Sequence, residues 1–312
     1  MADLVATRDA YGQALAELGR ENANVVVLDA DLSKSTKTNV FAKEFPERFF
    51  QMGIAEANMM GTAAGLATCG KIPFASSFAI FATGRAWEQV RLVIGYTGLN
   101  VKIAASHAGI TVGEDGASHQ TTEDIALMRV IPGMTVLVPA DATETRLLVK
   151  AAAAWQGPVY LRLGREPVPV LFDHSHHAEI GRAVRMREGS EVAILACGIM
   201  LGYSLTAAQM LAEQGVQATV LNVSTIKPLD TDAVTAAARE CGCLVTAEEH
   251  SVIGGLGSAV AEALVERHPV PVELVGIRDR FGQSGKPALL LEEYGLTPRH
   301  IMEAALRAIK RK

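Results

Sequence analysis

Apolar positions along this chain fall into two kinds of run. Short, nearly unbroken stretches such as Asn24-Val25-Val26-Val27-Leu28-Asp29 have the length and β-branched content of strands buried on both faces. Between them, apolar residues recur every three or four positions, as at Ala10, Leu15 and Leu18, which predicts a helix from Thr7, as its cap, to about Arg20. The same reading places strands at 49–52, 101–105, 135–138 and 158–163 and helices at 56–68 and 142–154. The second of these helices opens on the capping box Asp141-Ala142-Thr143-Glu144. Such alternation predicts one helix-covered sheet of about five or six strands, ending near residue 165.

The pattern then fails. Prolines, the polar run Asp173-His174-Ser175-His176-His177 and the charged stretch from Arg182 to Glu188 read as a linker. A second α/β register comes after it, with strands at 192–196, 218–223, 244–247 and 272–277 and helices at 203–213, 231–239, 257–266 and 298–310. The expected organisation is a first domain over 1–168, a linker over 169–190 and a second domain over 191–312.

Composition supports this class. Aromatics are only 5% and glycines number 28, with Ala, Val and Leu prominent, as in parallel sheets with helices on both faces. The net charge of −5, from 29 basic and 34 acidic side chains, argues against generic nucleic-acid binding. Four cysteines form no dense framework, and Met1-Ala2-Asp3 leads into an amphipathic stretch rather than a basic n-region, so a reducing cytoplasm is expected. The weakly charged stretch from Glu56 to Gly84 is broken by Lys71, Pro73 and several Ser, Thr and Gly residues, which argues against a membrane span.

Candidate chemistry gathers where strands of the first domain should end, the edge at which open α/β sheets bind ligands. Glu56 starts an otherwise apolar helix; it is either a desolvated carboxylate that shares a proton or a first-turn acid complementing the helix dipole. Phe78 and Phe81 are spaced to share one side of a helical turn, either as an apolar slot for a flat heterocycle or as core. The stretch from Ser106 to Gln120, with two histidines and two acids among glycines, is a site for hydroxyls and proton relay, a solvated turn or, lacking paired ligand spacing, more weakly a metal site. Arg8, Ser35 and Arg165 lie at other predicted element ends. His174, His176 and His177 could bind a metal but have no supporting acid or cysteine beyond Asp173, and Cys241-x-Cys243 reads as a helix end running into a strand.

The ordered set Gly53-Ile54-Ala55-Glu56, Phe78-x-x-Phe81, His107, Gly113-Glu114-Asp115-Gly116-x-x-His119-Gln120 and Pro139-Ala140-Asp141 resembles the C-terminal half of transketolase. The resemblance spans nearly the whole chain: a pyrimidine-binding domain, then a transketolase C-terminal domain that includes Glu248-Glu249-His250 and the glycine-rich turn after it. It implies thiamine diphosphate as cofactor, with Glu56 at N1′ of the aminopyrimidine, Phe78 and Phe81 flanking that ring, and Asp31 also cofactor-binding. It further implies that Glu56, His119 and His107 are catalytic in passing a two-carbon ketol unit from a ketose phosphate to an aldose phosphate. Asp115 would bind the acceptor's C2 hydroxyl, and Arg8, Ser35, His107 and Arg165 the sugar phosphate. Two guanidinium groups suit a phosphate, each charge-assisted contact being worth about 1.5–3 kcal/mol.

These enzymes hold the diphosphate through Mg²⁺ on a Gly-Asp-Gly motif of a separate domain, a motif this sequence lacks. The resemblance therefore implies a split enzyme, with an N-terminal partner subunit supplying diphosphate and metal binding, no metal on this chain, and an α₂β₂ assembly. Gly84, Ala55 and Ala57 depart from the aromatic, Arg and His common at those places, which leaves the sugar open. Two other readings share the fold: the β subunit of a 2-oxo acid dehydrogenase or a deoxyxylulose-phosphate synthase half, and a non-catalytic scaffold subunit.

Overall fold

A computed structural model describes residues 3–312. The strands, in chain order, are β1 (Leu4–Ala6), β2 (Val25–Asp29), β3 (Phe49–Gln51), β4 (Ile72–Phe78), β5 (Lys102–Ser106), β6 (Thr135–Leu137) and β7 (Val159–Arg162). Then come β8 (Pro167–Pro169), β9 (Val184–Arg187), β10 (Val192–Ala196), β11 (Ala218–Asn222), β12 (Thr225–Lys227), β13 (Leu244–Ser251) and β14 (Val272–Ile277). The first sheet has seven strands in the order β12-β6-β7-β5-β4-β2-β3, and the second five in the order β14-β13-β10-β11-β9. Each sheet is parallel apart from one edge strand, β12 in the first and β9 in the second. The expected class, α/β with a parallel sheet in each half, is borne out.

β12 comes from the second half of the chain yet pairs with β6, so the first sheet is one strand wider than expected and stitched to the second domain. The stretch read as a patternless linker also contains structure: β8 pairs with β1, and β9 forms an edge of the second sheet. Prolines at 167 and 169 hide β8 from the apolar pattern, yet a short two-stranded ribbon tolerates them.

β4 escapes the periodicity because Pro73 and the pair Ser76-Ser77 interrupt its apolar run, although it is a buried central strand. Tyr11 resolves part of the conflict, since its hydroxyl lies 2.8 Å from Ser76 Oγ. The first helix spans Thr7–Glu21, but Ala6 is its cap; Thr7 Oγ1 instead accepts from the Gly164 N–H at 2.7 Å, tying the helix to the segment after β7. The box at Asp141 forms by half: Asp141 accepts from the Glu144 N–H, while the Glu144 carboxylate turns to Ala140 N–H and Asn222.

Candidate active site

Because β2, β4, β5 and β7 run parallel, the segments leaving them emerge at one edge of the sheet. β4 delivers Phe78, β5 delivers His107 and its glycine-rich loop, and the segment after β7 delivers Arg165. β3 leads through Gly53 into the helix Glu56–Thr68, which starts on Glu56.

The Glu56 side chain is 2% exposed, and Arg85 Nη1 lies 3.0 and 3.1 Å from its two oxygens. Arg85 closes the π-helical turn Ile80–Arg85, in which the Ala86 N–H reaches back to the Phe81 carbonyl. This wide turn seats the guanidinium 4.6 Å above the Phe81 ring while leaving Arg85 half exposed. Sequence reasoning missed Arg85; its spacing of four from Phe81 was the available signal.

Phe78 and Phe81 do not share a helical turn, because Phe78 is the last residue of β4. Their rings nevertheless lie nearly parallel, with centroids 5.9 Å apart and an angle of 8° between their planes. His107 stacks on Phe78 at 3.7 Å, and His119 meets both phenylalanines edge-on. Four flat side chains from three segments thus form one aromatic wall beside the Glu56–Arg85 pair.

Arginine can only donate, so the 3.1 Å contact from Arg8 Nη1 fixes His107 Nε2 as an acceptor. The ring proton therefore sits on Nδ1, pointing at Ser106 Oγ 2.8 Å away. Burial first, then the positive charge of Arg8 and Arg165, holds this imidazole down to about 3, so it is neutral at physiological pH. His107 also sits at φ +58°, a strained conformation for a residue with a Cβ.

Arg8 also donates to the Ser35 carbonyl at 3.2 Å, and its Nε is buried without a partner. The Ser35 contact is thus through the backbone. Lys37, not singled out in the sequence, adds a third positive charge felt by His107 and is paired with Asp9 at 2.9 Å. Arg165 bonds the Val112 carbonyl and approaches Asp115 at 3.4 Å.

Asp31 is the outlier among the expected residues. Its side chain is exposed, and it joins the site only through its backbone N–H on Gln51 Oε1, which also receives the Gly53 N–H. Away from the site, His176 stacks on Phe172 at 3.7 Å. Among the described residues, no cluster of His, Cys, Asp and Glu is arranged to hold a metal ion, and no helix is long and apolar enough to cross a membrane.

The transketolase pyrimidine-binding domain model matches residues 3–170, and the transketolase C-terminal domain model residues 181–301. This chain belongs to the transketolase family. It is 47% identical to the 6-deoxy-6-sulfo-D-fructose transketolase subunit SqwH of Clostridium sp. strain MSTE9, over 98% of this chain and 95% of that one. It is 38% identical to a subunit of the apulose-4-phosphate transketolase of Phocaeicola vulgatus, over 99% of each. Among solved structures, a split-gene transketolase described as an inactive β4 tetramer superposes with a TM-score of 0.93 at 58% identity, covering 99% of both chains. A transketolase from Campylobacter jejuni shares the fold over 98% of this chain and 47% of its own length, with a TM-score of 0.84 at 24% identity. The chain accordingly carries the pyrimidine-binding and C-terminal domains of a transketolase.

The family implies thiamine diphosphate, and the residues present suit its aminopyrimidine. A buried carboxylate stands beside a stacked aromatic wall, and Ser77 Oγ, adjacent in sequence to Phe78, is buried without a partner.

Proposed function

We propose that this chain is the pyrimidine-binding subunit of a two-chain transketolase that moves a two-carbon ketol unit between sugars carrying a terminal anion. The observation that carries the reading is the buried Glu56 carboxylate beside the Phe78–Phe81 wall, with the cations Arg8, Lys37 and Arg165 grouped around His107. Bound thiamine diphosphate supplies the nucleophilic carbon and the electron sink for breaking and remaking a carbon–carbon bond. Glu56 would be the proton partner of a pyrimidine nitrogen, and half-exposed Arg85, which now occupies its carboxylate, would give way to it. Phe78 and Phe81 orient the ring. His119 moves a proton at the sugar hydroxyls, and Asp115 accepts from a hydroxyl of the acceptor.

His107 is better suited to positioning than to proton transfer. Its neutral ring aims Arg8 through Nε2 and completes the aromatic wall. Arg8 and Arg165, with the Ser35 segment, bind the terminal anion. The relatives' substrates include a sulfonated and a phosphorylated sugar, so that anion is a phosphate or a sulfonate.

A partner subunit holds the diphosphate and its Mg²⁺, and the active assembly is α₂β₂. The inactive β4 tetramer of the related chain supports both dependence on a partner and self-association. The cysteines, three buried and one exposed, are free, which suits a cytoplasmic enzyme. The test is to assay the chain alone and with its N-terminal partner, using thiamine diphosphate and Mg²⁺, on xylulose 5-phosphate, 6-deoxy-6-sulfofructose and unphosphorylated erythrulose. Transfer by the pair and none by the single chain is expected. Turnover by the chain alone, or no transfer by the pair from any donor, overturns the reading.

A further inference from the structure

The loop from His107 to Thr121 carries His107, Asp115 and His119 and is held from both domains, its own contributing Arg165 at the Val112 carbonyl. Its neck is closed by the Gly109 N–H on the Thr121 carbonyl. Beyond the neck it also makes three hydrogen bonds with the second domain. Glu249, on β13, accepts from the Thr111 N–H at 2.7 Å; Gln120 Nε2 donates to the Gln283 carbonyl at 2.9 Å; Ser284 Oγ donates to the Glu114 carbonyl at 2.7 Å.

Glu249 is the one charged partner in this set, and it is buried. The loop backbone comes so close that a Cβ on Gly109 would stand 2.2–2.5 Å from the carboxylate atoms, at a φ of +84° that only glycine adopts freely. Arg162 anchors the strand behind, donating to the Glu249 carbonyl at 2.9 Å while its guanidinium is paired at 2.7 Å with buried Asp124. A carboxylate is held there against the cost of burial, with its Oε1 on a backbone donor of the loop.

We propose that Glu249 is a positioning residue for ketol transfer: it fixes the loop that presents Asp115 and His119, so the second domain completes the active site without touching substrate. The kinetic arm of this inference rests on the transketolase reading; the structural arm does not.

The structural arm measures amide exchange of residues 110–119 in the isolated chain, comparing wild type with Glu249→Ala and Glu249→Gln. The kinetic arm measures ketol transfer and thiamine diphosphate affinity in the reconstituted pair. Glu249→Ala should speed exchange at Thr111 and lower kcat by roughly tenfold to a hundredfold, the size of one charge-assisted hydrogen bond. Cofactor affinity should stay within about twofold, because Glu56, Phe78 and Phe81 lie on other segments. Glu249→Gln keeps an oxygen for the Thr111 N–H and should restore both readouts to within about threefold of wild type.

Wild-type exchange and kcat in Glu249→Ala would overturn the proposal, as would a Glu249→Gln as damaged as the alanine variant. Should Glu249→Ala fail to fold, Gly109→Ala displaces the same carboxylate from the loop side, and unchanged exchange there overturns the proposal equally. Absence of transfer by the wild-type pair would count against the transketolase reading alone, leaving the exchange arm to decide the tether.

Discussion

Charged side chains crowd the C-terminal ends of strands in both sheets, and their hydrogen bonds are disposed of differently. At the end of β13, Glu248 accepts from the Leu256 and Gly257 N–H groups at the start of the helix Leu256–Arg267, Glu249 from Thr111, and His250 Nε2 from Ala126. Three consecutive residues are each consumed by a backbone donor. At the candidate active site, by contrast, Glu56 holds only a half-exposed arginine, Arg8 Nε and Ser77 Oγ have no partner, and Asp115 is exposed. Burial of charge alone therefore does not mark a site. What separates the two regions is the partner each charged group holds, fixed backbone donors at β13 and exposed or missing partners at the candidate site.

The sharpest way to break this contrast is at Glu56. Glu56→Ala should lower ketol transfer by the pair about a thousandfold, within the range for a lost proton-transfer partner, while the urea midpoint stays near wild type. Near-normal turnover would remove Glu56 from the chemistry. The consumed region should answer in stability instead. Asp124→Asn strips the buried partner from Arg162 and should cost roughly 3–5 kcal/mol in urea unfolding; a loss below about 1 kcal/mol would mean the pair is dispensable.

A smaller effect is expected at Arg165→Ala, which should raise KM for phosphorylated or sulfonated donors roughly tenfold to a hundredfold and leave erythrulose nearly unaffected. An equal change for both donor classes would remove Arg165 from the anion site.

A further test concerns pH, where the two regions should slope in opposite directions. His107 is held down to about 3 in the folded protein against an ordinary 6.5, so only the unfolded chain takes up its proton between those values. Its contribution to stability is lost as pH falls through that window. Burial pushes Glu248 up to about 7 from 4.5, so the folded protein keeps a proton the unfolded chain releases, and stability is lost as pH rises through that window. Unfolding free energy measured across pH 3–7 for His107→Gln and Glu248→Gln should therefore depart from wild type with opposite slopes, each at most about 1.4 kcal/mol per pH unit. Slopes of the same sign would contradict the assignment.

Much of this architecture was legible in the chain. Runs such as 25–29 and 192–196 could bury both faces only inside covered parallel sheets, and the Gly113–Gln120 segment carried the family resemblance that the comparisons bear out. Missed features have physical reasons. β4 is written with Pro73 and two serines, whose polarity is absorbed in part by Tyr11 far away in sequence. Arg85 and Lys37 look like ordinary surface cations until a π-helical turn and a left-handed residue at φ +69° aim them. Asp31 is grouped with the cofactor by resemblance, and the structure leaves its side chain in solvent.

By itself, the sequence determined the periods, the parallel α/β class and the set of chemical groups available, because these depend on local patterning and residue type. Only the tertiary structure decided which groups stay free. His107 is neutral because burial and Arg8 act on it together, and Glu249 reaches the loop after β5 because β13 comes to lie beside Gly109. Proton affinity and hydrogen-bond satisfaction are set by neighbours distant along the chain, and those neighbours exist only once it is folded.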